Sequence, residues 1–377
     1  MQGSWKLISP NQICIKQISG GLSNLVFFVG LPDSVDPVGR EPSQVLLRLF
    51  GDLGSGPAYQ YRLITETVVF TMLAERNLGP TLQGVFPGGR LEEFIPGHPL
   101  TTTELRSPEY SDLIAKNVAL VHSLEVPVSK EPTWLGDTMR SLVSKLKPLS
   151  PESVCSAERN AVLELINWDL RSEVDWLISF LKHVPSPVVF SHNDVNCGNI
   201  LVREDKSAGW DPIVFIDYEF AAYNYRGFDL ANHFIEWVYD YGTKVYPFYI
   251  RDIKQYPTRS QRERWIRKYL ETYEEQEFLQ EENNLRTRNG RHHNQPKGQM
   301  EDILDEVAAF SLASHLLWTV WALKQGQSSS ITFSYYSYAR DRLADYKIEK
   351  EHVVKLFQEK NLKGIKRRKE DDLSISS

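Results

Sequence analysis

The octet His192-Asn193-Asp194-Val195-Asn196-Cys197-Gly198-Asn199 lies between two short apolar runs, Val188-Val189-Phe190 and Ile200-Leu201-Val202. Asp217 follows 18 residues after Asn199, at the end of a further apolar run, Ile213-Val214-Phe215-Ile216. An Asp, an Asn five positions on and a second Asp at a strand end form a set suited to phosphoryl transfer. One carboxylate can take the proton of an attacking hydroxyl, while an amide oxygen and the other carboxylate hold Mg²⁺ against nucleotide phosphates. In this frame Asp194 is the candidate base, and Asn199 and Asp217 are the candidate metal ligands. His192 reads as a residue that orients the loop by hydrogen bonding. Cys197, with no base arranged to activate it, reads as a spacer.

Outward from the octet, size and composition set the frame. A chain of 377 residues is too long for one typical domain, so two packed lobes are expected. Hydrophobic residues at 41% and charged residues at 24% are ordinary for a globular enzyme, and a net charge of −6 gives no basis for nucleic-acid binding. Cys14, Cys155 and Cys197 are widely spaced and show no disulfide framework, which favours a reducing compartment. The N-terminus has no apolar signal core, and no run approaches the ~18–20 apolar residues of a spanning helix, so a cytosolic protein without a membrane segment is expected.

The pattern along the chain predicts an α+β organisation. Ile13–Ile18 and Leu25–Val29 flank Ser19-Gly20-Gly21-Leu22-Ser23-Asn24 as a hairpin, and Val45–Phe50 reads as a third strand. Ile64, Val68 and Met72 recur at helical spacing until Gly79-Pro80 stops the helix. Two short strands around Pro87-Gly88-Gly89 complete an N-terminal lobe over 1–96. The lobe over 97–360 is mainly helical, with helices expected near 109–124, 135–147, 157–182, 227–240, 260–280 and 301–325. The polar segment 274–299 is expected as a mobile insertion; its His292-His293 pair has no ligand spacing around it and reads as solvated. Residues 361–377 are expected as a tail without structure.

The Asp-x4-Asn spacing also marks the catalytic loop of protein kinases. On that logic Arg48, on the third strand, would reach nucleotide phosphates, held by Glu66 on the following helix; an ordinary strand arginine is the alternative. Gly20 to Asn24 would cover phosphates with backbone N–H groups, or form only a hairpin turn. No phosphate-binding G-x-x-x-x-G-K-[ST] loop occurs.

Val188–Asp194 with Gly198–Leu201, then Ile216–Glu219, then Tyr223–Asp229, resemble the choline/ethanolamine kinases. Ile18–Asn24, Leu46–Leu49, Leu73–Pro80 and Ala313–Trp321 fit the same family, so the resemblance runs from about residue 13 to 346. It implies a protein-kinase-like two-lobed fold, ATP-dependent phosphorylation of choline, ethanolamine or both, a place in phospholipid synthesis by the Kennedy pathway and, as often in that family, a homodimer.

By the resemblance, Asp194 is the base, and Asn199 and Asp217 bind Mg²⁺. Gly20, Gly21, Leu22, Ser23, Asn24 and Arg48 contact ATP phosphates. Glu92 to Gly97, with Glu93, Phe94 and Ile95 at the centre, form the hinge beside the adenine. Asn196 stands where many choline kinases have Gln, which puts its contact with nucleotide or substrate in doubt. The family's aromatic cage maps onto Tyr241, Trp318, Trp321 and Tyr338, with Glu236 nearby. Choline has no N–H to donate, so aromatic faces select it by cation–π attraction. Trp318 and Trp321 can share a helix face, but Ile303, Val307, Phe310, Ser314, Leu317 and Trp321 also read as a core stripe. Asn232–Tyr241 resembles the choline-type version, so choline is favoured, with ethanolamine as a poorer substrate. The alternatives are an ethanolamine-selective kinase, an aminoglycoside-type kinase and an inactive binding scaffold.

Overall fold

Five short antiparallel strands make the N-terminal sheet, and their register sets the first charged group of the site. The computed structural model describes residues 3–18, 24–50, 57–204, 211–287 and 300–375. After a short helix α1 (Ser4–Leu7) come β1 (Cys14–Ile18), β2 (Asn24–Gly30), β3 (Gln44–Phe50), helix α2 (Pro57–Glu75), β4 (Leu82–Phe86) and β5 (Gly89–Glu93). The strands pair antiparallel in the order β1-β2-β3-β5-β4. Gly88 takes φ 90° in the β4–β5 turn, and at Gly89 an added Cβ would sit 2.5 Å from the Arg48 carbonyl oxygen, so the turn needs both glycines. Trp5, Val29, Leu31 and Val45 form a small core under this sheet. The second half of α2 turns the other way: Val69 and Leu73 join the large core of the helical part. The Tyr218 hydroxyl donates to the Leu78 carbonyl oxygen at 2.8 Å across that junction.

The chain then passes into β6 (Gly97–Pro99) and the helices α3 (Thr102–Leu105), α4 (Pro108–His122), α5 (Trp134–Ser144), α6 (Arg159–Leu165) and α7 (Leu170–Leu181). Next come β7 (Val188–Ser191), β8 (Ile200–Arg203), β9 (Ile213–Phe215) and β10 (Ala222–Tyr225), then helix α8 (Arg226–Glu236). β8 pairs with β6 and β9, and β7 pairs with β10, so the octet bridges two small antiparallel sheets. A short pair β11 (Tyr239–Asp240) and β12 (Ile250–Arg251) precedes the long helices α9 (Arg259–Thr287), α10 (Met300–Gly326) and α11 (Tyr335–Ile375). This is the expected α+β, two-lobed, protein-kinase-like arrangement.

Several expectations need correction. The helix expected over 157–182 is two helices, because Asp169 caps a new start by accepting the Ser172 N–H at 3.1 Å. The helix expected to run to 240 ends at Glu236, and Tyr239–Asp240 turn into β11. The polar stretch from 274 continues α9 as far as Thr287; the rest of the expected insertion, 288–299, lies outside the described residues. The tail expected to lack structure instead prolongs α11 to Ile375, in keeping with its many Lys, Arg and Glu, which are good helix formers. Helix α10 is long and apolar enough to cross a bilayer, contrary to the reading that no run comes close, but 94% of its most apolar stretch is buried in the fold. A helix apolar on all sides is what a core position demands.

Helices α8 and α10 meet closely at Gly227, where an added Cβ would lie 2.5 Å from Phe310 Cδ2 and 2.7 Å from Glu306 Cγ. Beside it the Arg226 guanidinium pairs with the buried Glu306 carboxylate at 2.5 Å. Gly227→Ala is expected to destabilise the fold by about 1–3 kcal/mol through overpacking. The check is the urea unfolding midpoint, which should fall at constant slope; an unchanged midpoint would contradict this packing.

Candidate active site

β7 delivers Ser191 into the core, and the next two residues are held by one carboxylate. Asp229, on α8 and 1% exposed, accepts the His192 N–H at 2.8 Å and the Asn193 N–H at 2.7 Å. His122 Nε2 also lies 3.1 Å from Asp229, and its Nδ1 meets the Tyr269 hydroxyl at 2.9 Å. Asn193 sits in the left-handed region, φ 66°, a conformation that Asn tolerates better than most residues. Its amide donates to the Phe220 carbonyl oxygen and accepts from Asn224 Nδ2, both at 2.8 Å. The loop is therefore fixed at both its backbone and its side chains before Asp194 is reached.

His192 orients rather than reacts. Its Nε2 faces the Ile216 carbonyl oxygen at 3.0 Å and its Nδ1 accepts the Asp194 N–H at 3.2 Å, which is the pattern of a neutral ring. Burial lowers its pKa and favours that neutral form, although nearby Asp229 opposes it. Cys197 is pushed up to about 11, chiefly by burial, so its thiol is inert, in agreement with its reading as a spacer.

Asp194, Asn196 and Asn199 form one cluster. Asn196 Nδ2 donates to Asp194 Oδ1 at 2.9 Å, and Asn196 Oδ1 accepts the Asn199 N–H at 3.1 Å. Both ends of the Asn196 amide are thus used inside the loop, where they stabilise it. Asn199 Nδ2 donates to Asp194 Oδ2 at 2.9 Å and to the Asp194 carbonyl oxygen at 3.0 Å. That commits its nitrogen and turns its amide oxygen away from Asp194. The Ile216 N–H donates to the Asn199 carbonyl oxygen at 2.9 Å, which brings the next residue, Asp217, beside Asn199. Asp217 is itself left-handed, φ 62° and ψ 58°, at the end of β9. An amide oxygen with no partner among the described residues, next to an incompletely buried carboxylate, is the hard, oxygen-only donor set that suits Mg²⁺. Asp194 is raised well above the ordinary aspartate range, first by desolvation and then by the Glu236 carboxylate.

On the sheet side, Arg48 does not pair with Glu66 as expected. Its Nε lies 2.9 Å from Glu92 Oε1, and its Nη1 lies 3.4 Å from Asp217 Oδ1. Burial works against its charge, but the Glu92 and Asp217 carboxylates more than offset this and keep it protonated. Glu92 also takes Arg90 Nε at 2.7 Å, and Glu66 lies 3.8 Å from Arg90 Nη1. The reason is strand register: Arg48 lies opposite Arg90, and Leu46 opposite Glu92, on the adjacent β5. A carboxylate two residues along the same face is nearer than one on the helix. Arg48 thus links the sheet to Asp217 in the helical part.

The expected hinge residues are placed with different duties. Glu93 turns its carboxylate to Thr81, accepting the backbone N–H at 2.9 Å and the hydroxyl at 2.8 Å, so its side chain is spent on structure. Phe94 packs edge-on against Phe28 at 4.8 Å, and Ile95 is buried. Asn24 opens β2 opposite Phe50. Gly20, Gly21, Leu22 and Ser23 lie outside the described residues.

The aromatic residues converge. The Tyr241 hydroxyl donates to Glu236 Oε2 at 3.1 Å and lies 3.2 Å from the Tyr338 hydroxyl. The Trp318 and Trp321 rings meet edge-on at 5.4 Å. Trp321 contacts Tyr335, Tyr335 contacts Phe333, and Phe333 contacts both Tyr241 and Tyr338, with centroids 5.0–6.4 Å apart. Trp318 Nε1 donates to Asn232 Oδ1 at 2.7 Å, fixing its ring. The core-stripe alternative is correct for Ile303, Val307, Phe310, Ser314 and Leu317, which are all buried; Trp321, at the edge of that core, is only partly so. Sequence reasoning placed Glu92 at the hinge and not beside Arg48, and it did not single out Phe333 or Tyr335. Asp229 stands in the sequence only as the last residue of the Tyr223–Asp229 motif, with no duty attached to it.

A choline/ethanolamine kinase family profile matches residues 15–347. The human protein named choline/ethanolamine kinase is 42% identical over 344 residues, spanning 91% of this chain and 82% of that protein. Mouse choline kinase alpha is 40% identical over 364 residues, spanning 92% and 77%. The crystal structure of choline kinase from Cryptosporidium parvum superimposes with a TM-score of 0.66 at 26% identity, covering 94% of this chain and 93% of that one. The chain belongs to the choline/ethanolamine kinase family.

Proposed function

We propose that this protein is an ATP-dependent choline kinase that transfers the γ-phosphate of ATP to the choline hydroxyl, with ethanolamine as a poorer substrate. The observation that carries the reading is a single neighbourhood. Asp194 is held by the Asn196 and Asn199 amides, its carboxyl raised first by burial and then by the Glu236 carboxylate, which is itself bonded into a group of aromatic rings. A quaternary ammonium offers no N–H, and ring faces beside one carboxylate are the surface that recognises it.

In this reading the ammonium sits among Trp318, Trp321, Tyr241 and Tyr338, its charge balanced by Glu236. Asp194 takes the proton of the choline hydroxyl as that oxygen forms its bond to the γ-phosphorus. The bond from the γ-phosphorus to the bridging oxygen breaks, and ADP leaves. Asn199 and Asp217 would hold Mg²⁺, which neutralises charge on the phosphates. Arg48, kept charged by Glu92, attracts the same phosphates from the sheet side, where Gly20 to Asn24 are also assigned. Phe94 and Ile95 lie along the adenine, with Glu93 securing the strand behind them. The free thiols Cys14, Cys155 and Cys197 are consistent with a cytosolic enzyme, and a homodimer is proposed by analogy with the family.

Two substitutions separate the base from the ammonium site. Asp194→Asn should reduce turnover nearly to background while leaving ATP binding close to normal, because the amide keeps the shape but cannot take a proton. Near-normal turnover in that variant removes Asp194 from the role of base. Trp321→Ala should lower choline kcat/KM by up to about 2 kcal/mol, roughly 30-fold, with a smaller loss for ethanolamine. Equal losses for the two substrates would dissolve the aromatic assignment.

A further inference from the structure

Behind the aromatic rings lies a cation that the proposed reaction does not use. Arg342, on α11, is completely buried and is among the largest such side chains. Its Nη2 donates to Ser314 Oγ at 2.8 Å and to the Ser314 carbonyl oxygen at 3.2 Å. Its Nη1 lies 3.5 Å from Glu236 Oε1, and its guanidinium lies 5.0 Å and 5.7 Å from the ring centroids of Tyr239 and Tyr338. Nε and Nη1 are buried without a hydrogen-bond partner among the described residues. A guanidinium kept only to brace helices would be expected to satisfy its five N–H groups. On its Nε and Nη1 side this one is held by charge: by the Glu236 carboxylate and two ring faces.

A cation beside a pocket for a cation is at first sight a liability. Its value lies in Glu236. That carboxylate is buried, and burial alone favours its neutral form, which could not balance an ammonium. The two oxygens are engaged from opposite partners: Oε2 receives the Tyr241 hydroxyl, and Oε1 faces Arg342. The same arginine is tied through Ser314 to Asn232, since Ser314 Oγ also bonds Asn232 Oδ1 at 2.7 Å, and that oxygen is the acceptor for Trp318 Nε1. One buried group therefore connects the carboxylate of the ammonium site to one of its tryptophans.

We propose that Arg342 is a positioning residue of the ammonium site, which holds Glu236 charged and in place so that the aromatic rings and the carboxylate act on the substrate together. This rests on the choline-kinase reading and extends it to a residue that does not touch substrate. Because Arg342 acts through Glu236, the two should fail as a unit.

The test is a double-mutant cycle of Arg342→Gln and Glu236→Gln, with KM for choline, KM for ATP and kcat measured separately. Each single variant is expected to raise choline KM about tenfold, within the range of couplings between contacting residues, with ATP KM unchanged. The double variant should be no worse than either single one, and Arg342→Lys should recover part of the loss. Additive losses, or an ATP KM that rises alongside choline KM, would overturn the proposal and leave Arg342 a general structural residue. An unchanged choline KM in Glu236→Gln would remove the ammonium site itself, and the Arg342 proposal with it. If Arg342→Gln does not fold, Ser314→Ala removes the shorter of the two Nη2 bonds and the link to Asn232 while keeping the arginine's charge. It should raise choline KM severalfold at constant ATP KM, and no change there would also overturn the proposal.

Discussion

The two N–H bonds that Asp229 receives from His192 and Asn193 are the constraint on which the rest of the site depends. They fasten the end of β7 to the first turn of α8 and impose the left-handed turn at Asn193 that presents Asp194. A buried carboxylate that accepts backbone N–H groups forms strong, charge-assisted bonds, and losing it would strand two buried donors. His122 and Tyr269 extend the anchor to α4 and α9, so the reacting loop is referred to the whole helical core and not to its own short strands. The Asn193 side chain then ties the loop to Phe220 and Asn224, and His192 ties it to Ile216, the residue before Asp217. The candidate base and the candidate metal ligands thereby share one support.

The site has three charged layers with distinct duties. Arg48, braced by Glu92, joins the sheet to Asp217 and sets positive charge on the side where phosphates are assigned. Asp194, Asn199 and Asp217 form an acidic centre suited to a proton and a divalent cation. Beyond them the Glu236 carboxylate, backed by Arg342, stands among aromatic rings. An electronegative centre bordered by ring faces complements a cationic alcohol, and it would be costly to maintain without one.

Reading the chain forward, the reaction was more legible than its supports. Asp194, Asn199 and Asp217 are visible because chemistry demands their types at close spacing, and the structure brings all three together. The strand hairpin, α2, α4 and α10 follow from apolar spacing and from stops such as Gly79-Pro80. Glu92 was not identified as the partner of Arg48 because that pairing depends on the β3–β5 register, which a single sequence does not display. The duty of Asp229, which ends the Tyr223–Asp229 motif, is not legible because its backbone partners lie 36 and 37 residues away. Helix α11 is hard to read because its buried face mixes Ala339, Leu343 and Val353 with tyrosines, Ser337, Arg342 and Asp345, which dilutes the apolar spacing. The Trp318/Trp321 pair stayed divided between core and site until Trp321 was found at the edge of the core, in contact with Tyr335.

The most direct measurement is a side-by-side determination of kcat/KM for choline and ethanolamine at saturating Mg·ATP, read as ADP release. An Asp194 base placed beside an aromatic ammonium site predicts turnover of both alcohols, with a clear preference for choline. No ADP release with choline, or a preference for ethanolamine, would contradict it.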